Sequence, residues 1–90
     1  MTDINFTKEG TLWKSDVITD KIQALQINFA DDNRKGNEVT IARSLDGNVF
    51  QTEMIVKTDN STFIINIDND IEEVAKVIYC AKEPTKAYYI

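Results

Sequence analysis

Val39-Thr40-Ile41-Ala42-Arg43-Ser44-Leu45-Asp46-Gly47-Asn48-Val49-Phe50-Gln51-Thr52-Glu53-Met54-Ile55-Val56 is made of two alternating runs on either side of a break. Val39, Ile41 and Leu45 alternate with Thr40, Ala42 and Ser44, and Phe50, Met54 and Val56 alternate with Gln51, Glu53 and Ile55. A period of two places successive side chains on opposite faces of an extended strand. Between the runs, Asp46-Gly47-Asn48 reads as a tight hairpin turn, because Gly47 takes positive φ without a Cβ penalty. The stretch predicts two antiparallel strands, with Phe50, Met54 and Val56 sharing one apolar face.

The same period recurs on both sides. Leu25, Ile27 and Phe29 alternate with Ala24, Gln26 and Asn28, and Phe63, Ile65 and Ile67 alternate with Thr62, Ile64 and Asn66. β-branched and aromatic residues, which suit a pleated half-buried surface, fill these runs. Polar clusters at 31–37, 59–61 and 68–70 separate them. Near the start, Ile4 and Phe6 alternate until Gly10 interrupts, which predicts a split first strand bent at that glycine. Residues 70–81 read two ways. Ile71, Val74, Ala75 and Ile78 fit a helical face with Asp70 and Glu73 as a capping box, whereas Val74, Ile78 and Cys80 alternate as in a strand. Length and the Val-Ile-Tyr content favour the strand. Pro84 then allows a turn into a last strand ending Tyr88-Tyr89-Ile90, expected to be tied into a sheet and, if it lies at an edge, open to pairing with another chain. The prediction is an all-β domain spanning residues 1–90, of about seven strands packed as two antiparallel sheets, at about 4–14, 20–30, 38–45, 48–57, 62–67, 74–81 and 86–90.

Composition narrows the function classes. The 90 residues carry 15 acidic and 10 basic side chains, a net charge of −5, which disfavours nucleic acid and anionic membrane as partners. Met1-Thr2-Asp3-Ile4-Asn5-Phe6 has neither the basic region nor the apolar run of a secretory leader, so the expected location is cytoplasmic. With no histidine, this chain can build neither a Ser-His-Asp triad nor a His-liganded zinc site. Cys80, the single cysteine, has no disulfide partner in the chain and no imidazole to activate it, so it reads as a small buried apolar residue. Asp68, Asp70 and Glu72 have the spacing that opens a calcium loop, but Glu73 stands where the loop needs glycine and Tyr79 where it needs a bidentate glutamate. Adjacent Asp31 and Asp32 point apart. No cofactor and no metal are expected.

Three aromatic residues are the candidate binding residues: Trp13 among polar neighbours, and Tyr88 and Tyr89, which point to opposite faces of the last strand. Exposed rings anchor protein partners or stack on sugars. Phe29, Phe50 and Phe63 are read as core.

Arg43-Ser44-Leu45-Asp46-Gly47-Asn48-Val49-Phe50 resembles the turn between the third and fourth strands of fibronectin type III-like (immunoglobulin-like) β-sandwich domains. Many bacterial and phage members carry Ser-x-Asp-Gly followed by an aromatic there. Val39-Thr40-Ile41 matches the preceding strand. Val74 to Cys80, with Tyr79, looks like the sixth, and Lys82-Glu83-Pro84 like the turn into the seventh, so the likeness covers about residues 20–90. Such modules are common in phage tail and virion proteins. The resemblance implies a non-catalytic binding or assembly module, virion-associated or prophage-encoded, that self-associates or docks on a protein partner. A carbohydrate-binding module is the alternative, and a small carboxylate hydrolase, needing two carboxylates about 5–9 Å apart in a cleft, is the third.

Overall fold

A computed structural model of the protein describes residues 1–69 and 71–90. The described chain is all-β apart from one 3-10 turn at Asp31–Asn33. Two antiparallel sheets pack face to face as a sandwich. The four-stranded sheet runs in the order β1 (Thr2–Asp3), β9 (Pro84–Tyr89), β4 (Ala24–Phe29) and β7 (Thr62–Asn66). The five-stranded sheet runs β2 (Phe6–Glu9), β3 (Leu12–Ser15), β8 (Ala75–Cys80), β5 (Asn37–Ser44) and β6 (Phe50–Thr58).

The core lies where the two inner faces meet. Ala87, Ile27 and Phe63 form one row across the four-stranded sheet, with Tyr89 and Leu25 in the next. Facing them, Trp13, Cys80, Val39 and Val56 form a row across the five-stranded sheet, with Ile78, Ile41 and Met54 beside it. Ile18 and Ile22, from the link between β3 and β4, join the same buried cluster. Burying each of Ile27, Ile41 and Ile78 stabilises the fold by roughly 1.5–3 kcal/mol.

Residues 4–14 form no single bent strand. Glu9 lies opposite Leu12, so Gly10 and Thr11 are a two-residue hairpin loop between β2 and β3. Gly10 has φ +64° while Thr11 has negative φ, the pattern of a type II′ turn. Together with the short β1, this replaces the expected first strand by three and brings the described strands to nine.

The Asp46-Gly47-Asn48 turn is also longer than expected. Ser44 pairs with Phe50, so residues 45–49 form the loop and Leu45 and Val49 are exposed. Within it, Ser44 Oγ accepts from the N–H groups of Gly47 (2.8 Å) and Asp46 (3.3 Å) and donates to Asp46 Oδ1 (3.0 Å). Asp46 Oδ1 in turn accepts from Asn48 N–H (2.8 Å) and Val49 N–H (2.9 Å).

Phe50 does not share a face with Met54. Ile41 pairs with Met54 but Ala42 pairs with Thr52, so Glu53 is an extra, bulged residue. A bulge shifts the alternation by one. Phe50 therefore falls on the side of Ser44 and Ala42, half-buried and outside the core cluster, while Met54 and Val56 fall on the side of Ile41 and Val39.

Residues 75–80 are a strand, paired with β3 on one side and β5 on the other. Asp70, the proposed cap and calcium position, lies outside the described residues. β9 is laddered to β4 on one side and, at Tyr88 and Tyr89, to β1 on the other, with the Ala87 carbonyl accepting from Ile4 N–H (2.9 Å), so its Tyr88-Tyr89 end is not the open edge that pairing with another chain would need.

Candidate functional site

Two open sheets have four edges, and they are unequal. β1 has two residues, β2 four and β7 five, whereas β6 has nine. At about 3.3 Å per residue, β6 presents roughly 30 Å of edge. One side of β6 is laddered to β5, and the other carries N–H and C=O groups with no neighbouring strand among the described residues. Natural edges are usually short, polar or charged. β2, with Thr7, Lys8 and Glu9 exposed, follows that rule. β6 is the longest edge and mixes the two characters: it carries Glu53, Lys57 and a bulge, but also an apolar run in which Met54 is 38% and Ile55 57% exposed, next to Val56.

The bulge in this edge is tied down from inside. Lys76, on β8, stands on the same side of its strand as the core residues Ile78 and Cys80. Its side chain is only 2% exposed. Its Nζ lies 2.9 Å from Glu53 Oε1, 2.9 Å from Glu73 Oε2 and 3.0 Å from Glu73 Oε1. Glu73 is 3% exposed at its side chain and Glu53 24%. Lys76 lies opposite Arg43 in the ladder, a like-charge pair that would destabilise the sheet if left alone. Glu53 offsets it, with Oε2 3.9 Å from Arg43 Nη1. Only Lys76 and Glu73 are held away from water, at 2% and 3% side-chain exposure, and as a pair they carry no net formal charge, which is what burial of an ion requires. Lys21 Nζ donates to the Glu73 carbonyl (3.1 Å), closing the loop over the cluster. The arrangement clamps the bulge of β6 to the centre of its sheet.

The three candidate aromatics are not brought together. Trp13 faces inward, half-buried against the core, and lines a groove with Asn5, Phe6, Glu83 and Thr85. Tyr88 lies on the outer face of the other sheet, in the row Asp3, Tyr88, Gln26, Ile64. There it lines a separate shallow groove with Ala24, Ile64 and Ile90, and Lys86 Nζ sits 5.7 Å from its ring. Tyr89 belongs to the core, and its hydroxyl donates to Asp20 Oδ2 at 2.6 Å. That bond to the carboxylate, with desolvation second, raises the phenol above its usual range. A ring held inside the sandwich is not a contact surface, which removes Tyr89 from the candidate binding residues.

Other reactive groups are spoken for. Burial pushes the Cys80 thiol up to about 12. The N–H groups of Val49 and Asn48, then the Ser44 hydroxyl, hold the Asp46 carboxyl below its usual range. Among the described residues, no group of three or more Cys, Asp or Glu side chains is placed to hold a metal ion. No helix there is long and apolar enough to cross a membrane.

Sequence reading misses both parts of this site. The alternation Val74, Ile78, Cys80 passes over Lys76, and a lysine at a core-facing position with a glutamate three residues before it is the available signal. The exposure of β6 depends on strand order, which no local pattern encodes. Comparison with family models, with characterised proteins and with solved structures finds no match to this chain.

Proposed function

We propose that this chain is a non-catalytic binding or assembly module that joins a larger protein assembly by adding its β6 edge to another strand. A small phage or prophage virion or tail component is the setting that fits best. The observation that carries the reading is the nine-residue open edge with Met54 and Ile55 exposed. An open edge of this length with an apolar run at Met54-Ile55-Val56 suits strand addition, in which main-chain hydrogen bonds supply affinity and side chains supply selectivity. The fibronectin type III-like assignment belongs to the same proposal. Its support is that β4 and β7 share one sheet and β5 and β8 the other, as the B, E, C and F strands do in immunoglobulin-type sandwiches. The place of β9 beside β4 rather than β8 departs from that pattern.

A photo-crosslinking residue at position 55, introduced in the source cells, tests the reading. A discrete cross-linked protein product is expected at 55, and none with the same residue at Thr7 on the polar edge β2. Equal labelling at both positions, or no product at 55, contradicts it.

One observation favours a second reading. Trp13, packed on one side against the core, lines one groove with the polar Asn5, Glu83, Thr85 and Lys86 as well as apolar neighbours, and an aromatic edge beside polar groups suits a sugar ring. Binding on a glycan array that disappears in Trp13→Ala, with the fold retained, would favour it. No binding removes it.

A further inference from the structure

The strand ends gather three links at one end of the sandwich. Ser44, the last residue of β5, lies opposite Ala75, the first of β8, so the 45–49 loop and the 67–74 link emerge side by side. The 16–23 link joins them through the bridge of Ile18 to Lys76. The links also hold one another. Val74 N–H donates to the Ser44 carbonyl (2.8 Å) and Lys21 Nζ to the Glu73 carbonyl (3.1 Å). Asn69 Nδ2 donates to the Ile22 carbonyl (2.6 Å), and Asn69 Oδ1 accepts from Ile22 N–H (3.3 Å). Links tied together in this way lose less freedom on making a contact than three separate arms would.

The surface of this end is unlike that of ordinary links. Val17, Leu45, Val49, Ile71 and Val74 are all exposed, Ile71 by 94%. Turns and links are usually built from small and polar residues, and the loops at the opposite end conform. Among the described residues, 10–11, 30–36, 59–61 and 81–83 expose no large apolar side chain. A scattered exposed aliphatic is normal on any protein, but five on mutually bonded links mark a contact surface. Charge is just as uneven. The same three links expose Asp16, Asp20, Asp46, Asp68 and Glu72, and their one basic side chain, Lys21, is turned to the Glu73 carbonyl. At the opposite end Asp31, Asp32, Asp59 and Glu83 are nearly balanced by Arg34, Lys35 and Lys82.

We propose that this end is a second contact surface, separate from the β6 edge, and that its occupant is a protein segment setting lysine or arginine side chains around aliphatic ones. Charge complementarity selects that chemistry. Carboxylates interspersed with exposed aliphatic groups favour a partner that is both basic and apolar, and they oppose the approach of an acidic one. The same carboxylates repel anionic lipid headgroups. The three links hold no aromatic ring on which a sugar could stack.

A short synthetic peptide of alternating lysine and leucine is the probe, followed through the amide chemical shifts of the purified protein. It should move residues of 16–23, 45–49 and 71–74 and leave 30–36 and 59–61 in place, with a Kd that rises with salt. A lysine–serine peptide of equal charge should bind about tenfold more weakly or worse, because it lacks the apolar part of the contact. Val49→Ser combined with Ile71→Ser should weaken the lysine–leucine peptide by a similar factor, with circular dichroism unchanged because both side chains are exposed. Asp16→Asn combined with Asp68→Asn should weaken binding and flatten its salt dependence. No binding up to near-millimolar peptide, equal shifts at both ends, or equal affinity for the two peptides overturns the proposal. Shifts confined to β6 also overturn it, while leaving the contact edge standing. Binding to phosphatidylcholine vesicles that is lost in Val49→Ser/Ile71→Ser, with no response to peptide, assigns this end to a lipid surface and overturns it too.

Discussion

Replacing Lys76 by Met removes the ammonium that answers two carboxylates. Methionine fills a similar volume, so the change is mainly electrostatic. The Glu73 side chain is 3% exposed and that of Lys76 2%, so water does little to screen what remains. Removing one partner of a buried ion pair costs about 3–5 kcal/mol, because the other charge stays desolvated. Against a total stability of about 5–13 kcal/mol for a chain of this length, that is a large fraction. At about 4–8 °C per kcal/mol, Tm should fall by at least roughly 12 °C. Urea unfolding followed by the fluorescence of Trp13, the single tryptophan, reports it directly, since the ring packs against the core. Adding Glu73→Gln to Lys76→Met should recover about 1–3 kcal/mol, because it neutralises the carboxylate left behind. A loss below about 1 kcal/mol for Lys76→Met, or strict additivity of the two changes, would refute the argument that these charges are paired away from water.

Three further outcomes are expected from the geometry. Gly10→Ala forces a Cβ onto a residue at φ +64°, and should cost about 1–2 kcal/mol by thermal unfolding even though nothing crowds the site. Asp46→Ala should lower the urea midpoint at neutral pH. Because the folded carboxyl is depressed below its ordinary value of 3.8, its ionised form contributes stability above that value and loses it as pH falls through the depressed one, so wild type and variant should converge under strong acid. The Cys80 thiol, pushed to about 12 by burial, should resist a thiol reagent at pH 8 in the native protein and react with one equivalent once unfolded.

The parts of the fold legible in the sequence are those set by local alternation. Leu25, Ile27 and Phe29 point inward with Ala24, Gln26 and Asn28 facing away, and Phe63 and Ile67 are buried while Ile64 is exposed. The departures have separate physical causes. Glu53 adds one residue to β6 and turns Phe50 to the other face, and a single inserted residue leaves no mark in an alternation already interrupted by Thr52. Gly10 permits both a bend and a II′ reversal, and only the pairing of Glu9 with Leu12 decides between them. Adjacency alone sets Tyr88 and Tyr89 on opposite faces, but which one faces outward depends on β9 lying between β1 and β4, a long-range pairing. Lys76 escapes notice for a similar reason: its acceptability in the core depends on Glu53, 23 residues away.

The pairing of β1 with β9 places Thr2 directly opposite Tyr89, about 5 Å apart at Cα in a ladder of this kind. The polypeptide thus enters and leaves the sandwich at one corner. A domain with that geometry can be spliced into a surface loop of a host protein with almost no stretch to span and little closure entropy, and a short peptide joining its ends, with a cut in the exposed 45–49 loop, would make a circularly permuted version with every strand still in place.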